Sequence, residues 1–465
     1  MTGFNTAGLY LHIFESCKNL VKAENMTVGK FGISAISPVF VIGLLFSLTS
    51  LPQARAQALP ALVNEVLETH PSLLVQRSLG QVSEKAVEAA RWQYFPTPSV
   101  STEVAGASAQ DASYGNGSKS VTTLRLQQPL WTGGRLTAGV EKAEAGVLVN
   151  LATRDGVRQD LTLRVVQIYS EWYGAYVKGL AFQKSLDVHV RLREQIVRRI
   201  AQGVSAASDL TLVEGREQQT EAELSVVKAQ QVTSLARLAQ LLGHPLKADD
   251  MLKAFVEPTP IGDSLDLLVD QAKANHPEVV KLLAQARVHK AEIDERRAEM
   301  SPELYVRFER QYGNFSIRNA GTENRIFLGL NTHFGAGLSG LSNAAGALAR
   351  YEAALAEVEN TRVSLAEQIT SDYWQAEAGQ KRVVFLDASL TSSASIWEAW
   401  GRQFLAGRKT WLDVMNAARE LAQVEVQIAE VKAAQLLLTW RLWVIVRGVD
   451  AALSQNSTPK TGLAP

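Results

Sequence analysis

The sequence predicts a mainly α-helical protein with a small β share, built as a duplication around two long coiled-coil hairpins. Three observations carry that expectation. Landmark residues recur about 205 positions apart, two very long stretches lack proline, and four short segments alternate apolar with polar residues.

The duplication is legible as a series in fixed order. His70-Pro71 returns as His276-Pro277 and Pro96 as Pro302, both 206 residues later. Residues 99–104 align with 305–309 at the same offset. Pro129-Leu130-Trp131-Thr132-Gly133-Gly134 aligns with Thr332-His333-Phe334-Gly335-Ala336-Gly337 at 203, and Gly203 and Asp209-Leu210 return as Gly407 and Asp413-Val414 at 204. A repeat of this length is a duplicated domain, whereas solenoids repeat every 20–50 residues. The two copies are assigned to 57–243 and 264–448, joined by a linker over 244–263, with a short polar flexible tail at 449–465.

The elements follow in chain order. Lys30, the apolar run Phe31–Leu51 and the small-x-small site Ala54-Arg55-Ala56 read as a secretory signal peptide over 1–56, with Met26 as an alternative start. Its removal takes the only cysteine, Cys17, and leaves no thiol for a lipid anchor or a metal. Each copy then opens with a helical stretch, 58–95 and 264–300. His70 and His276 stand before prolines at equivalent helix turns, a structural position. Strand-like segments follow at 99–105 and 121–131, and again at 303–312 and 324–334. Leu304, Val306 and Phe308 alternate with Tyr305, Arg307 and Glu309, which gives each strand one apolar face. Gly-, Ser- and Asn-rich loops at 106–120 and 313–323 read as exposed tips.

The long helices come last in each copy. No proline lies between Pro129 and Pro245 or between Pro302 and Pro459. Leu161, Val165, Ile168, Trp172, Ala175, Gly179, Phe182 and Leu186 step by four and three. Ala417, Leu421, Val424, Ile428, Val431, Gln435, Leu438, Leu442 and Ile445 do the same, as coiled-coil seams require. At 1.5 Å per residue, 135–202 would span roughly 100 Å. Gly203 and Gly407 interrupt these helices, and helix resumes near Asp209 and Asp413. The two interruptions are expected to be hairpin tips, with both aspartates also suited to capping the returning helices.

Other functions find little support. The 47 basic and 47 acidic side chains balance, so no nucleic-acid partner is expected, and near-neutral mean hydropathy excludes a multi-span helical membrane protein. The seven histidines show no metal spacing, and no nucleophile elbow, phosphate loop or acid pair appears. Asp249-Asp250 reads as a solvated turn. Gly335-Ala336-Gly337-Leu338-Ser339-Gly340 matches G-x-G-x-x-G with Glu357 and Glu359 beyond it, but the strand before it alternates and no parallel strand follows in a βαβ unit. No cofactor, metal or catalysis is therefore expected.

Ten-residue strands with one apolar face suit a bilayer, where open edges cannot face lipid. Four strands cannot close a barrel, so several subunits must share one. Trp131 and Phe334, at matching strand ends, are candidates for an aromatic girdle at the lipid interface.

The duplicated plan, Gln128-Pro129-Leu130-Trp131-Thr132-Gly133-Gly134-Arg135 and the Gly-x5-Asp turns at 203–210 and 407–414 resemble the TolC family of outer-membrane factors, over about residues 58–448. The resemblance implies a homotrimer with a shared twelve-stranded outer-membrane barrel and a long periplasmic α-barrel. It also implies a periplasmic adaptor and an inner-membrane ABC or other export transporter as partners, in an efflux pump or a type I secretion system. The missing lipid-anchor cysteine leans toward type I secretion. A periplasmic adaptor is the alternative, but an adaptor would carry one hairpin, not two.

The resemblance assigns a periplasmic gate and constriction to Asp209, Phe404, Lys409, Asp413 and Asn416. Asp209 and Asp413 match the family's latch and constriction aspartates. Lys409 stands where the family's prototype has arginine, Phe404 where it has tyrosine, and Asn416 where a second aspartate is expected. Those departures imply a weaker latch and a less cation-selective mouth. Gly203, Val204, Ser205, Ala206, Gly407 and Arg408, with Lys409, are candidates for the partner-docking tips.

Overall fold

The computed structural model describes residues 59–105, 117–248, 251, 259–317, 321–332 and 336–456. The signal peptide, Asp249-Asp250 and Phe334 lie outside them. The chain runs α1 (Leu59–Thr69), α2 (Pro71–Trp92), β1 (Thr97–Val104), β2 (Ser120–Trp131), α3 (Arg135–Ala201) and α4 (Ala207–Leu242). The second copy repeats this with α5 (Leu265–Asn275), α6 (Pro277–Ala298), β3 (Glu303–Tyr312), β4 (Glu323–Asn331), α7 (Ser339–Leu405) and α8 (Trp411–Arg447), followed by α9 (Val449–Asn456).

The opening helical stretch of each copy is two helices, split at the His-Pro pair. His70 Nδ1 accepts from Ser72 N–H and His276 Nδ1 from Glu278 N–H, both at 3.3 Å. Histidine is thus the N-cap and proline the first helical residue, where its missing N–H costs nothing. The second departure is at the C-terminus. Residues 449–456, expected as part of a polar tail, form α9. Its spacing of Val449, Ala452 and Leu453 puts one small apolar face onto α8 and α3, and all three are buried.

α3 packs against α4, α6 and α8, while α7 packs against α8 and α6. In the long-helix layer α3 and α8 therefore lie inside and α4 and α7 outside. Small residues bring the two hairpins together. A Cβ on Gly174 would sit 3.0 Å from the Cβ of Ala433, and Ser170 Oγ donates to the Ala433 carbonyl at 2.5 Å. The seam on α8 is buried as expected except for half-buried Gln435, which lies against Gly379. On α3 the expected seam is buried only from Leu161 to Ala175. Beyond that Ala181, Ser185, Val188, Leu192 and Ile196 take over, so the buried stripe of α3 changes along its length.

The main core gathers Trp172 and Tyr169 of α3, Trp440 of α8, Leu238 of α4 and Leu62 of α1. A second core joins α5, α7 and α8 around Leu268, Ile369 and Ile445. Beside it Arg441 holds the buried Asp372 carboxylate with Nε at 2.7 Å from Oδ2 and Nη2 on Oδ1. Burial pushes the Asp372 carboxyl up, against the pull of Arg441.

The four strands form one antiparallel sheet in the order β1-β2-β3-β4. β2 and β3 come from different copies, so the sheet welds the duplication together. β1 and β4 are its edges. A register shift between Pro129 and Trp131 absorbs the proline, which cannot donate to the ladder.

Candidate functional site

The two hairpin tips are built alike. After α3, Gly203 takes φ +69°; its N–H donates to Ile200 O and that of Val204 to Arg199 O. After α7, Gly407 takes φ +71°; its N–H donates to Phe404 O and that of Arg408 to Gln403 O. Each is a Schellman turn, which needs a left-handed residue and so favours glycine. Three residues on, Ala206 and Thr410 are extended N-caps, and three further on stand Asp209 and Asp413. The Gly-x5-Asp spacing is thereby explained: glycine ends one helix and the third residue of the next closes its N-terminus.

Each aspartate reaches back. Asp209 Oδ2 accepts from Ala206 N–H at 3.2 Å, and Asp413 Oδ2 from Thr410 N–H at 3.1 Å. Only the second tip completes a capping box. Thr410 Oγ1 accepts from Asp413 N–H at 3.2 Å and donates to Asp413 Oδ2 at 2.8 Å. The Thr410 hydroxyl and N–H, with Lys409 near, hold the Asp413 carboxyl below the usual carboxylate range. Thr410→Ala is expected to cost about 1 kcal/mol, read as faster amide exchange over 411–414 with 207–210 unchanged.

The other sequence-assigned gate residues part company. Lys409 Nζ is 4.3 Å from the Trp400 ring centroid and 3.9 Å from Asp413 Oδ2. Among the described residues no ion pair joins it to Asp209. Phe404 is buried in a tip cluster with Val188, Ile196, Val213, Val414 and Met415, and Arg199 stacks on its ring at 4.8 Å. Asn416 is exposed and lines a groove beside His189 and Arg216. His189 is buried, which lowers its basicity, and sits 3.1 Å from Thr220 Oγ1. Val204, Ala206 and Arg408 are exposed, and Ser205 is half-buried. Sequence reasoning missed Thr410, although Thr410-x-x-Asp413 is a capping-box signature. It also missed Trp400 and Arg199, which only the packing reveals.

One face of the sheet is mainly apolar, although Arg310 stands on it in the row of Val100 and Leu124. Register puts Pro98, Leu126, Phe308 and Ile326 in one row, and Val306 beside Leu328 and Leu304 beside Leu330 in others, all on one face. Ile326, Leu328 and Leu330 are 76%, 71% and 68% exposed. Trp131 and Tyr312 stand at opposite ends of this apolar face, both exposed. Tyr312 is a girdle candidate not foreseen from the sequence. The opposite face carries Arg125, Arg307, Glu309 and Arg325. Among the described residues no helix is long and apolar enough to cross a membrane, and no acidic, histidine or cysteine cluster could hold a metal.

This architecture has known relatives. The profile of the family described as outer membrane efflux protein matches residues 62–244 and 268–441. The chain belongs to the outer membrane efflux protein family. It is 22% identical over 350 residues to the alkaline protease secretion protein AprF of Pseudomonas aeruginosa, covering 71% of this chain and 70% of that one. It is 24% identical over 315 residues to the cobalt-zinc-cadmium resistance protein CzcC of Cupriavidus metallidurans, covering 66% and 72%. Its fold is that of the outer membrane protein VceC of Vibrio cholerae, with a TM-score of 0.72 at 18% identity, over 84% of this chain and 96% of that one.

This outer membrane efflux protein is therefore an exit-channel component, with its sheet in the outer membrane and its long helices in the periplasm. Family and fold are those of channel proteins. The Gly335–Gly340 motif fits that frame. Gly337 takes φ +58° in a short turn at the junction of sheet and α7, and the sheet is antiparallel throughout. The adaptor alternative is not favoured.

Proposed function

We propose that three copies of this chain close a twelve-stranded barrel and a continuous periplasmic duct, gated at the hairpin tips. The observation that carries this is a four-stranded sheet with a lipid-ready face and two unpaired edges, β1 and β4. A neighbour's β4 on β1 would remove both edges, as a spanning sheet requires. The periplasmic layer supports the same assembly. Its outer helix α7 buries only Ser393 between Asp372 and Phe404 and exposes Trp374, Val384 and Phe385. A neighbouring subunit would cover that face.

In this reading Asp413 lines the constriction with Asn416 one turn on, and Asp209 serves the outer tip. Lys409 engages its own hairpin, so the latch between hairpins rests on Arg199 and Phe404. The exposed tips would meet a periplasmic adaptor and an inner-membrane transporter, of the ABC or another export class. The relative named for protease secretion supports a protein cargo, and the one named for metal resistance supports a small one.

Single-channel recording of detergent-purified protein tests the reading. Discrete long-lived steps with cation preference, and loss of that preference in Asp413→Ala, are expected. Steps whose ion preference is untouched by Asp413→Ala would dismiss the constriction. A subunit that sediments only as a folded monomer and never conducts would dismiss the shared barrel.

A further inference from the structure

The polar face of the sheet has an order of its own. Two neighbouring rows cross it at mid-strand. Ser99, Arg125, Glu309 and Arg325 form one, and Thr97, Gln127, Arg307 and Phe327 the next. Arg125 Nε donates to Glu309 Oε1 at 2.8 Å, and Arg307 Nε lies 3.0 Å from the same oxygen. One carboxylate, 9% exposed, thus serves two guanidinium groups. Arg325 pairs with Glu323 of the row above.

Aromatic rings fix the second arginine. The Arg307 guanidinium stands 4.7 Å from the Phe327 ring centroid and 5.8 Å from that of Tyr305. Tyr305 in turn lies over Gly329, where an added Cβ would fall 2.4 Å from the phenol ring. The cross-strand glycine is what leaves room for Tyr305 beside Arg307.

The apolar face must meet lipid, so this face lines the lumen. Resting on the shared-barrel reading above, we infer that Arg125, Arg307 and Glu309 form a cationic, aromatic-braced belt that selects for anionic solutes or acidic segments of cargo inside the barrel. Each subunit brings three arginines against Glu309 and Glu323, a net of one positive charge, and the barrel repeats it in every subunit. Glu103 is two rows further out, about 13 Å along the strand, and largely screened from the belt in salt. Glu303 at the inner end is neutralised by Arg135 at 3.6 Å. A guanidinium held by rings keeps its outward N–H groups for a passing carboxylate or phosphate. The belt therefore opposes the Asp413 ring proposed at the tips, and cargo meets two charge filters of opposite sign in series.

Reversal potentials in a KCl gradient across planar bilayers test this. The background is Asp413→Asn, which silences the tip ring. That variant is expected to turn anion-preferring. Adding Glu309→Gln should deepen the anion preference, because it removes the one acid among the two belt arginines. Adding R125Q/R307Q/E309Q instead should bring the potential to zero, since only the neutral Arg325–Glu323 pair remains. R125K/R307K keeps the charge and should keep the preference, which separates charge from folding. Identical potentials in the Glu309→Gln and the neutralised variants would overturn the belt while leaving the channel intact. Absence of any channel in wild-type protein would instead overturn the shared barrel, and the belt with it.

Discussion

Replacement of Arg441 by methionine is expected to destabilise the subunit by about 3 kcal/mol at neutral pH, the cost of stranding a buried charge. Asp372 is 2% exposed and receives two hydrogen bonds from Arg441. Without the arginine only burial acts on the carboxyl, and burial already pushes it up. The pH dependence follows from that direction. A carboxyl raised in the folded state is neutral in both states below about pH 4, so no penalty is felt there. The penalty appears as pH climbs through the raised value. Arg441→Met should therefore lose more stability at pH 7 than near pH 4, in thermal melts of the detergent-solubilised protein. The double variant D372N/R441M should recover most of the loss at pH 7. Equal losses at both pH values would mean that packing by the arginine stem, not charge, is what the pair contributes.

Phe404→Ala is expected to loosen the tips without unfolding the rest. The side chain fills a cluster to which all four long helices contribute, and Arg199 stacks on it from the other hairpin. Truncating a buried phenylalanine costs about 3 kcal/mol or more. The cluster lies some 50 Å along α7 from the Asp372 clamp, at 1.5 Å per residue, and α7 buries only Ser393 between them. The loss should thus appear as local opening, about a hundredfold faster amide exchange over 396–418, with exchange around Trp172 and Trp440 unchanged. Phe404→Leu should show most of the protection restored. If Phe404→Ala exchanges like wild type at the tips, the cluster does not hold the hairpins closed.

The 303–312 strand and the 135–202 helix were readable in the sequence to within a residue, because strict alternation and the absence of proline leave few other conformations. The split at His70-Pro71 did carry a local signal, since proline disfavours helix at the residue before it and suits the first turn of the next helix; the apolar periodicity on either side masked it. The drift of the α3 seam was hidden because a single heptad register was extended past the point where the packing partner changes. At the tips, the glycine and aspartate were visible, and Phe404 stood out as a gate candidate but not as a buried member of a four-helix cluster. Its neighbours Val188, Val213 and Met415 come from three other helices. Likewise Arg125 and Glu309 are 184 residues apart in the chain, and only strand pairing makes them partners. Local spacing records local hydrogen bonds; it carries no trace of which distant segment arrives.

The sheet that closes on β2 and β3 bears on how the subunit reaches the membrane. Its central pairing joins segments separated by α3, α4, α5 and α6, a costly closure for a young chain. Its outer strands offer bare amide rows beside Ile326, Leu328 and Leu330, the pattern that invites promiscuous association. A lone copy crossing the periplasm is thus its own worst neighbour. Its yield should fall with crowding of identical chains unless insertion keeps pace with delivery.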